Sequence, residues 1–278
     1  MMKMNDFETH ISNYLKRQRP CLISDAMAYA MEGGKRFRPR IIFAITKGMG
    51  FDENIAYDAA LALEMIQTYS LIHDDLPAMD NDDMRRGKPS LHKAFREDIA
   101  ILTGDQLLTD AFRVISESKD YDDSVKINII RALSTYAGSD GMIYGQLLDV
   151  TADDEHIDKK KLEEIQDNKT GGLFKISCLI PMYIRKEKNE AYYTKLGSLI
   201  GRIFQNQDDL FDQIKTEQEM GKNLSDAKNN KGTALSVYSL QELKDLIDEE
   251  FARLDRYLEE ATFDTSYLKD ILKKLKER

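Results

Sequence analysis

Apolar residues recur at helical spacing along almost the whole chain. Near the start Phe7, Ile11, Tyr14 and Leu15 fall about one turn apart. Near the end Leu243, Ile247, Phe251, Leu254 and Leu258 keep the same rhythm, which places them on one helical face. The segments Asn54 to Asp75, Leu91 to Ser118 and Tyr192 to Gln213 hold no proline and no glycine cluster, so each predicts a long core helix. Strand-like alternation is hard to find. The pattern therefore predicts an all-α protein. Breaks are expected at Gly33-Gly34, Leu76-Pro77, Gly87-Lys88-Pro89, Gly171-Gly172 and the polar stretch Lys222 to Gly232. No composition shift, linker or short repeat divides residues 1–278, which predicts a single domain.

Charge and composition narrow the partners. The formal net charge of -9 argues against a nucleic-acid binder or an anionic-membrane binder, because both need a basic footprint. An anionic ligand must then be held by a local group of Lys and Arg. Cys21 and Cys178 lie far apart, without the density of a disulfide scaffold or the spacing of a zinc site. The start of the chain, with Asp6, Glu8 and His10, lacks the apolar run of a signal peptide. The run Ile176 to Ile184 is too short for a transmembrane segment. A reduced, cytoplasmic protein is expected.

Two carboxylate runs stand out. In Leu71-Ile72-His73-Asp74-Asp75-Leu76-Pro77-Ala78-Met79-Asp80, Pro77 disfavours helical geometry at Leu76. The helix should end there, letting Asp80 fold back toward Asp74. Three like charges so close call for a cation, and oxygen-only ligands suit a hard ion such as magnesium. An EF-hand starting at Asp80 is excluded, since its sixth and twelfth positions are Arg85 and Leu91 instead of Gly and Glu. The second run is Phe204-Gln205-Asn206-Gln207-Asp208-Asp209-Leu210-Phe211-Asp212. Here Gln205, Asp208 and Asp212 share one helical stripe. No basic residue lies three or four positions from Asp208, so this run too favours a bound cation.

Cations cluster beside glycines near these runs. Gly33-Gly34-Lys35-Arg36-Phe37-Arg38-Pro39 puts three on a turn, Arg85-Arg86-Gly87 follows the first carboxylate run, and Lys169-Thr170-Gly171-Gly172 marks a helix end. Lys222 and Lys231 flank the polar loop after Asp212. A metal-bound diphosphate would use such donors.

Taken together, these segments, with Gly104-Asp105, Gly145-Gln146 and Asp149, resemble the trans-isoprenyl diphosphate synthase family, most of all its bacterial farnesyl type. The resemblance covers nearly the whole chain. It implies an all-α, single-domain helical bundle around a deep central cavity, working as a homodimer with Mg2+. It further implies that Asp74 and Asp80 bind magnesium with Asp75 as a supporting carboxylate, and that Asp208 holds a further ion in a site ordered by Asp212. Arg85, Lys169, Gln205, Lys222 and Lys231 would contact the allylic diphosphate. Lys35, Arg38 and Arg86 would bind the diphosphate of isopentenyl diphosphate, and Thr170 and Gln205 would stabilise the allylic cation.

Two departures from the family pattern matter. Gln67 stands where the family usually carries His, so the position can donate an amide N–H to phosphate and cannot carry a positive charge. After Lys222 the chain reads Asn223-Leu224-Ser225-Asp226, and Ala234-Leu235 replaces the usual Tyr-Pro. Product length should depend on Tyr69 and Ser70, which precede Asp74 by five and four residues; a bulky aromatic near there stops chain growth early in the family. With four residues between Asp75 and Asp80, the expected product is farnesyl diphosphate. The alternatives are a geranylgeranyl or other short-chain synthase and a non-catalytic regulatory subunit. A terpene cyclase is disfavoured by the Lys35, Arg38 and Arg86 set.

Overall fold

The computed structural model describes residues 4–152, 157–219 and 234–277. The described residues are all-α apart from one hairpin of two-residue strands, as the hydrophobic spacing predicts. The helices in chain order are α1 (Met4–Lys16), α2 (Leu22–Met31), α3 (Phe37–Gly48), α4 (Tyr57–Asp74), α5 (Leu91–Ala94), α6 (Glu97–Glu117) and α7 (Asp123–Ala137). They continue as α8 (Met142–Thr151), α9 (Lys159–Lys169), α10 (Gly171–Arg185), α11 (Glu190–Glu219), α12 (Leu240–Leu258) and α13 (Ser266–Lys276). Among the described residues no helix is long and apolar enough to cross a membrane.

The chain forms two compact units. One comprises residues 1–131, 180–188 and 263–274, and the other residues 132–179, 189–262 and 275–278. In the first, α4 is buried almost all round: Ala59, Ala60, Leu61, Ala62, Leu63, Met65 and Ile66 are fully enclosed. A helix apolar on every side has to lie inside a core. The Phe7, Phe43 and Tyr57 rings meet at centroid distances of 5.1 to 5.6 Å and join α1, α3 and α4. In the second unit Leu196, Leu199, Ile200 and Ile203 give α11 its buried stripe, with Leu243, Phe251 and Leu254 on α12.

Local signals set most boundaries. Asp52 accepts the amide of Asn54 and starts the 3-10 turn Glu53–Ala56 that leads into α4. Asp158 caps α9, and Ser239 with Glu242 forms a capping box on α12. Three expectations need correction or refinement. The predicted helix Leu91 to Ser118 is broken into α5 and α6, because Phe95 packs edge-on against Tyr29 at 5.4 Å and Arg96 takes a positive φ of 151°. The Gly87 break is a hairpin: Met84–Arg85 pairs antiparallel with Lys88–Pro89, and Arg86 and Gly87 both take positive φ, 54° and 77°. Such a two-residue turn suits the twist of paired strands. A long α11 replaces the shorter helix expected to end at Gln213.

Candidate functional site

The end of α4 folds as Pro77 requires. Asp74 is its last residue, and the amide of Asp80 then donates to the Asp74 carbonyl at 2.9 Å. Met79 and Asn81 donate to the Leu76 carbonyl at 2.9 and 3.1 Å, which closes the loop. Asp80 is thereby carried back beside Asp74. Asp75 goes elsewhere: it is 2% exposed, and Arg85 Nε donates to its two oxygens at 2.9 and 3.2 Å. Arg85 Nη2 also bonds Asp75, and it reaches Asp82 at 2.9 Å. Burial pushes the Asp75 carboxyl above its usual range, while the Arg85 guanidinium pulls it down. The carboxylate expected from sequence to support the metal is thus engaged with the Arg85 guanidinium.

The three cations of the Gly33 turn have different fates. Arg36, 3% exposed and with a positive φ of 51°, is directed into the protein. Its Nε and Nη2 donate to Glu8 at 2.8 and 3.1 Å, Nη1 to Glu64 at 2.9 Å, and Nη2 to the Met31 carbonyl at 2.6 Å. Arg36 is the anchor of the turn, leaving Lys35 exposed on one side and Arg38 half-buried on the other. Gly34 is needed for space, since a Cβ there would stand 2.7 Å from Arg36 Nη1 and 3.5 Å from Arg86 Cζ.

Arg86 lies beyond the hairpin turn from Arg85. It donates to the Ala30 and Glu32 carbonyls at 3.1 and 3.4 Å, at the end of α2. No carboxylate pairs with it among the described residues. Burial lowers its pKa from the usual guanidinium value; the Glu64 charge opposes this, and Arg36 and Arg85 nearby add to it. A guanidinium so placed attracts an anion. Gln67 sits half-buried on α4, where its backbone carbonyl accepts the Ser70 hydroxyl at 3.0 Å. Tyr69 is buried and packs edge-on against His73 at 5.8 Å. Burial, helped by Asp74, pushes its phenol up to about 12.

The second unit gathers Lys169, Thr170 and Gln205. Lys169 Nζ pairs with Asp149 on α8. Thr170 donates its hydroxyl to Gln205 Oε1 at 2.6 Å, and Gln205 Nε2 donates to Asp209 at 2.8 Å. The other Asp209 oxygen accepts the Ala234 amide at 2.7 Å. Asp209 is therefore buried scaffolding, whereas Asp208 is half-buried on α11. Asp212 continues α11, with its side chain outside the described residues, where Lys222 and Lys231 also lie. Sequence reasoning passed over Asp149 and Asp209 as partners. A signal existed for the first: Gly145 is where α8 closes on Lys169, since a Cβ would lie 2.0 Å from the Lys169 amide nitrogen.

Among the described residues no group of three or more His, Cys, Asp or Glu is arranged to hold a metal. Magnesium takes one or two carboxylates and completes its shell with water and phosphate oxygens.

The Polyprenyl synthetase family profile matches residues 20–275. Farnesyl diphosphate synthase from Geobacillus stearothermophilus is 39% identical over 270 residues, covering 94% of this chain and 90% of the relative. An apo crystal structure of an FPP/GFPP synthase from Zymomonas mobilis superposes with a TM-score of 0.85 at 31% identity, covering 98% of this chain and 97% of that one. Geranyltransferase from Helicobacter pylori, solved with magnesium and isoprenyl diphosphate, gives a TM-score of 0.84 at 27% identity, with 99% and 96% covered.

Proposed function

Since the chain belongs to the polyprenyl synthetase family, we propose that it is a trans-prenyltransferase, condensing isopentenyl diphosphate with dimethylallyl or geranyl diphosphate to give farnesyl diphosphate. The observation that carries this reading is the return of Asp80 onto Asp74, with Arg85 and Arg86 delivered by the hairpin that follows. Similarity to the Geobacillus stearothermophilus enzyme, over nearly the full length of both chains, supports the farnesyl product. Both compact units would serve as one catalytic domain.

In this reading Asp74 and Asp80 hold magnesium from the first carboxylate run, and Asp208 with Asp212 from the second. Magnesium held by these carboxylates would supply positive charge to neutralise the diphosphate and make it a better leaving group. Asp75 acts through Arg85, which with Lys169 and Gln205 grips the allylic diphosphate. Lys222 and Lys231 belong to the same set by their positions in the sequence. Lys35, Arg38 and Arg86 hold the diphosphate of isopentenyl diphosphate, with the Gln67 amide as a neutral donor beside them. The Thr170 hydroxyl and Gln205 amide, fixed to each other, present oxygen dipoles to the allylic cation. Tyr69, with Ser70 next to it, ends the apolar space for the growing chain. No protein nucleophile is needed, and the released diphosphate takes the proton.

A homodimer fits the surface. On α8, Ile143, Leu147 and Val150 follow one another at helical spacing and are all exposed. Contiguous exposed apolar side chains mark an interface. Light scattering of the purified protein should give twice the chain mass of 32.0 kDa.

The test is a product assay with magnesium, isopentenyl diphosphate and geranyl diphosphate. Farnesyl diphosphate should predominate. Mainly longer chains would overturn the Tyr69 argument. An inactive protein that restores a partner synthase would favour a regulatory subunit, and a cyclic hydrocarbon made from farnesyl diphosphate alone would favour a cyclase.

A further inference from the structure

His73, half-buried, has entered so far only as the neighbour of Tyr69. Its Nε2 lies 3.2 Å from the Ile101 carbonyl of α6. A carbonyl only accepts, so this nitrogen carries the proton. The imidazole stands edge-on to the Tyr69 ring, one helical turn earlier, at 5.8 Å and 76°. What gives it room is Gly104, where a Cβ would come within 2.2 Å of Nε2 and 2.6 Å of Cδ2. No side chain fits there without expelling the ring. Around this notch α6 is packed by buried Ala100, Thr103 and Leu107, so its backbone is not free to yield.

We infer that His73, seated in the notch at Gly104 and tied to the Ile101 carbonyl, is a positioning residue that fixes the Tyr69 ring and through it the product length. This rests on the reading of Tyr69 as the end of the apolar space. An edge-to-face ring pair adds directional preference beyond simple burial. Tyr69 turns about only two side-chain torsions, so a ring packed against it limits where it can swing. Losing that support, or pushing the imidazole out of its notch, lets the phenol ring swing away and opens room for a further isoprene unit.

The experiment compares product ratios at matched conversion for the wild type, Tyr69→Ala, His73→Leu, His73→Gln, Gly104→Ala and the double variant Tyr69→Ala/His73→Leu. His73→Leu and Gly104→Ala should raise the share of geranylgeranyl diphosphate by about two- to tenfold, the range spanned by losing one aromatic contact. His73→Gln, whose amide can still donate to the Ile101 carbonyl, should restore part of the farnesyl preference. The double variant should match Tyr69→Ala alone, because His73 acts only through the ring. A defect in folding would instead lower turnover and leave the ratio unmoved. Active His73 variants with wild-type product ratios would overturn the inference while sparing the Tyr69 reading. A Tyr69→Ala enzyme that still makes only farnesyl diphosphate would overturn both, as would a wild type without elongation. If Gly104→Ala does not fold, the two His73 variants decide.

Discussion

Arg36 offers the sharpest test of how the Gly33 turn is held. Its side chain is 2% exposed and shared between Glu64, 5% exposed, and Glu8, 48% exposed. Replacing Arg36 by Ala strips the buried Glu64 of its cation, and breaking a buried pair from one side costs about 3–5 kcal/mol. Losing Glu8, which stays half in water, should cost only about 0–1 kcal/mol. Thermal unfolding followed by circular dichroism should therefore show Arg36→Ala melting roughly 6–20 °C lower, at about 2–4 °C per kcal/mol for a chain this long. Glu8→Ala should stay within roughly 4 °C of the wild type. Arg36→Gly separates two effects, because glycine relieves the positive φ while removing the same anchor. It should still lose most of what Arg36→Ala loses. Arg36→Met paired with Glu64→Leu should recover much of the stability, since a well-packed apolar pair often replaces a buried ion pair at little cost. Lys35 and Arg38 flank the anchor, so Arg36→Lys, without the planar fork, should raise the KM for isopentenyl diphosphate more than it lowers Tm. Equal losses from Glu8→Ala and Arg36→Ala would refute the reasoning, because the buried half of the triad would then contribute nothing.

Three other perturbations follow from the same geometry. Asp75→Asn should keep the fold but loosen Arg85, lowering kcat by about 10- to 100-fold in a steady-state assay, a loss typical of mispositioned charged groups. Chelation with EDTA should abolish elongation, and added magnesium should restore it, whereas zinc should not, given the oxygen-only donor set. Glu250 has its carboxyl raised to about 7, chiefly by burial, with Arg202 and Asn206 pulling it down and Glu163 adding to the rise. The folded protein then binds the proton more tightly than the unfolded chain, so stability falls as pH climbs from about 4.5 to about 7 and is flat above. Glu250→Gln should flatten that slope in melts across this window, and an unchanged slope would place the titration elsewhere.

The helices were legible because their signals are local. Apolar spacing, Pro77 after Leu76 and the Ser239 and Glu242 pair each act within a turn or two of chain. The broken helix at Phe95 and Arg96 was not legible, because its cause is a ring contact with Tyr29, far away in sequence. The hairpin hid for another reason: its turn is Arg-Gly instead of the Asn-Gly or Asp-Gly that advertises two positive φ angles. The candidate ligands were readable as a set of residue types near glycines, but their partners were not. Arg36 meets Glu64 across 28 positions, Lys169 meets Asp149 across 20, and Thr170 meets Gln205 across 35. No helical periodicity links residues so far apart. Arg85 and Arg86 make the point most sharply, being identical neighbours with opposite fates. The chain reverses between the strands immediately after Arg85, so Arg85 is turned onto a buried carboxylate while Arg86 reaches only backbone carbonyls at the end of α2. Composition counts two equal charges there; only the fold decides that one is aimed by a buried carboxylate and the other by backbone carbonyls.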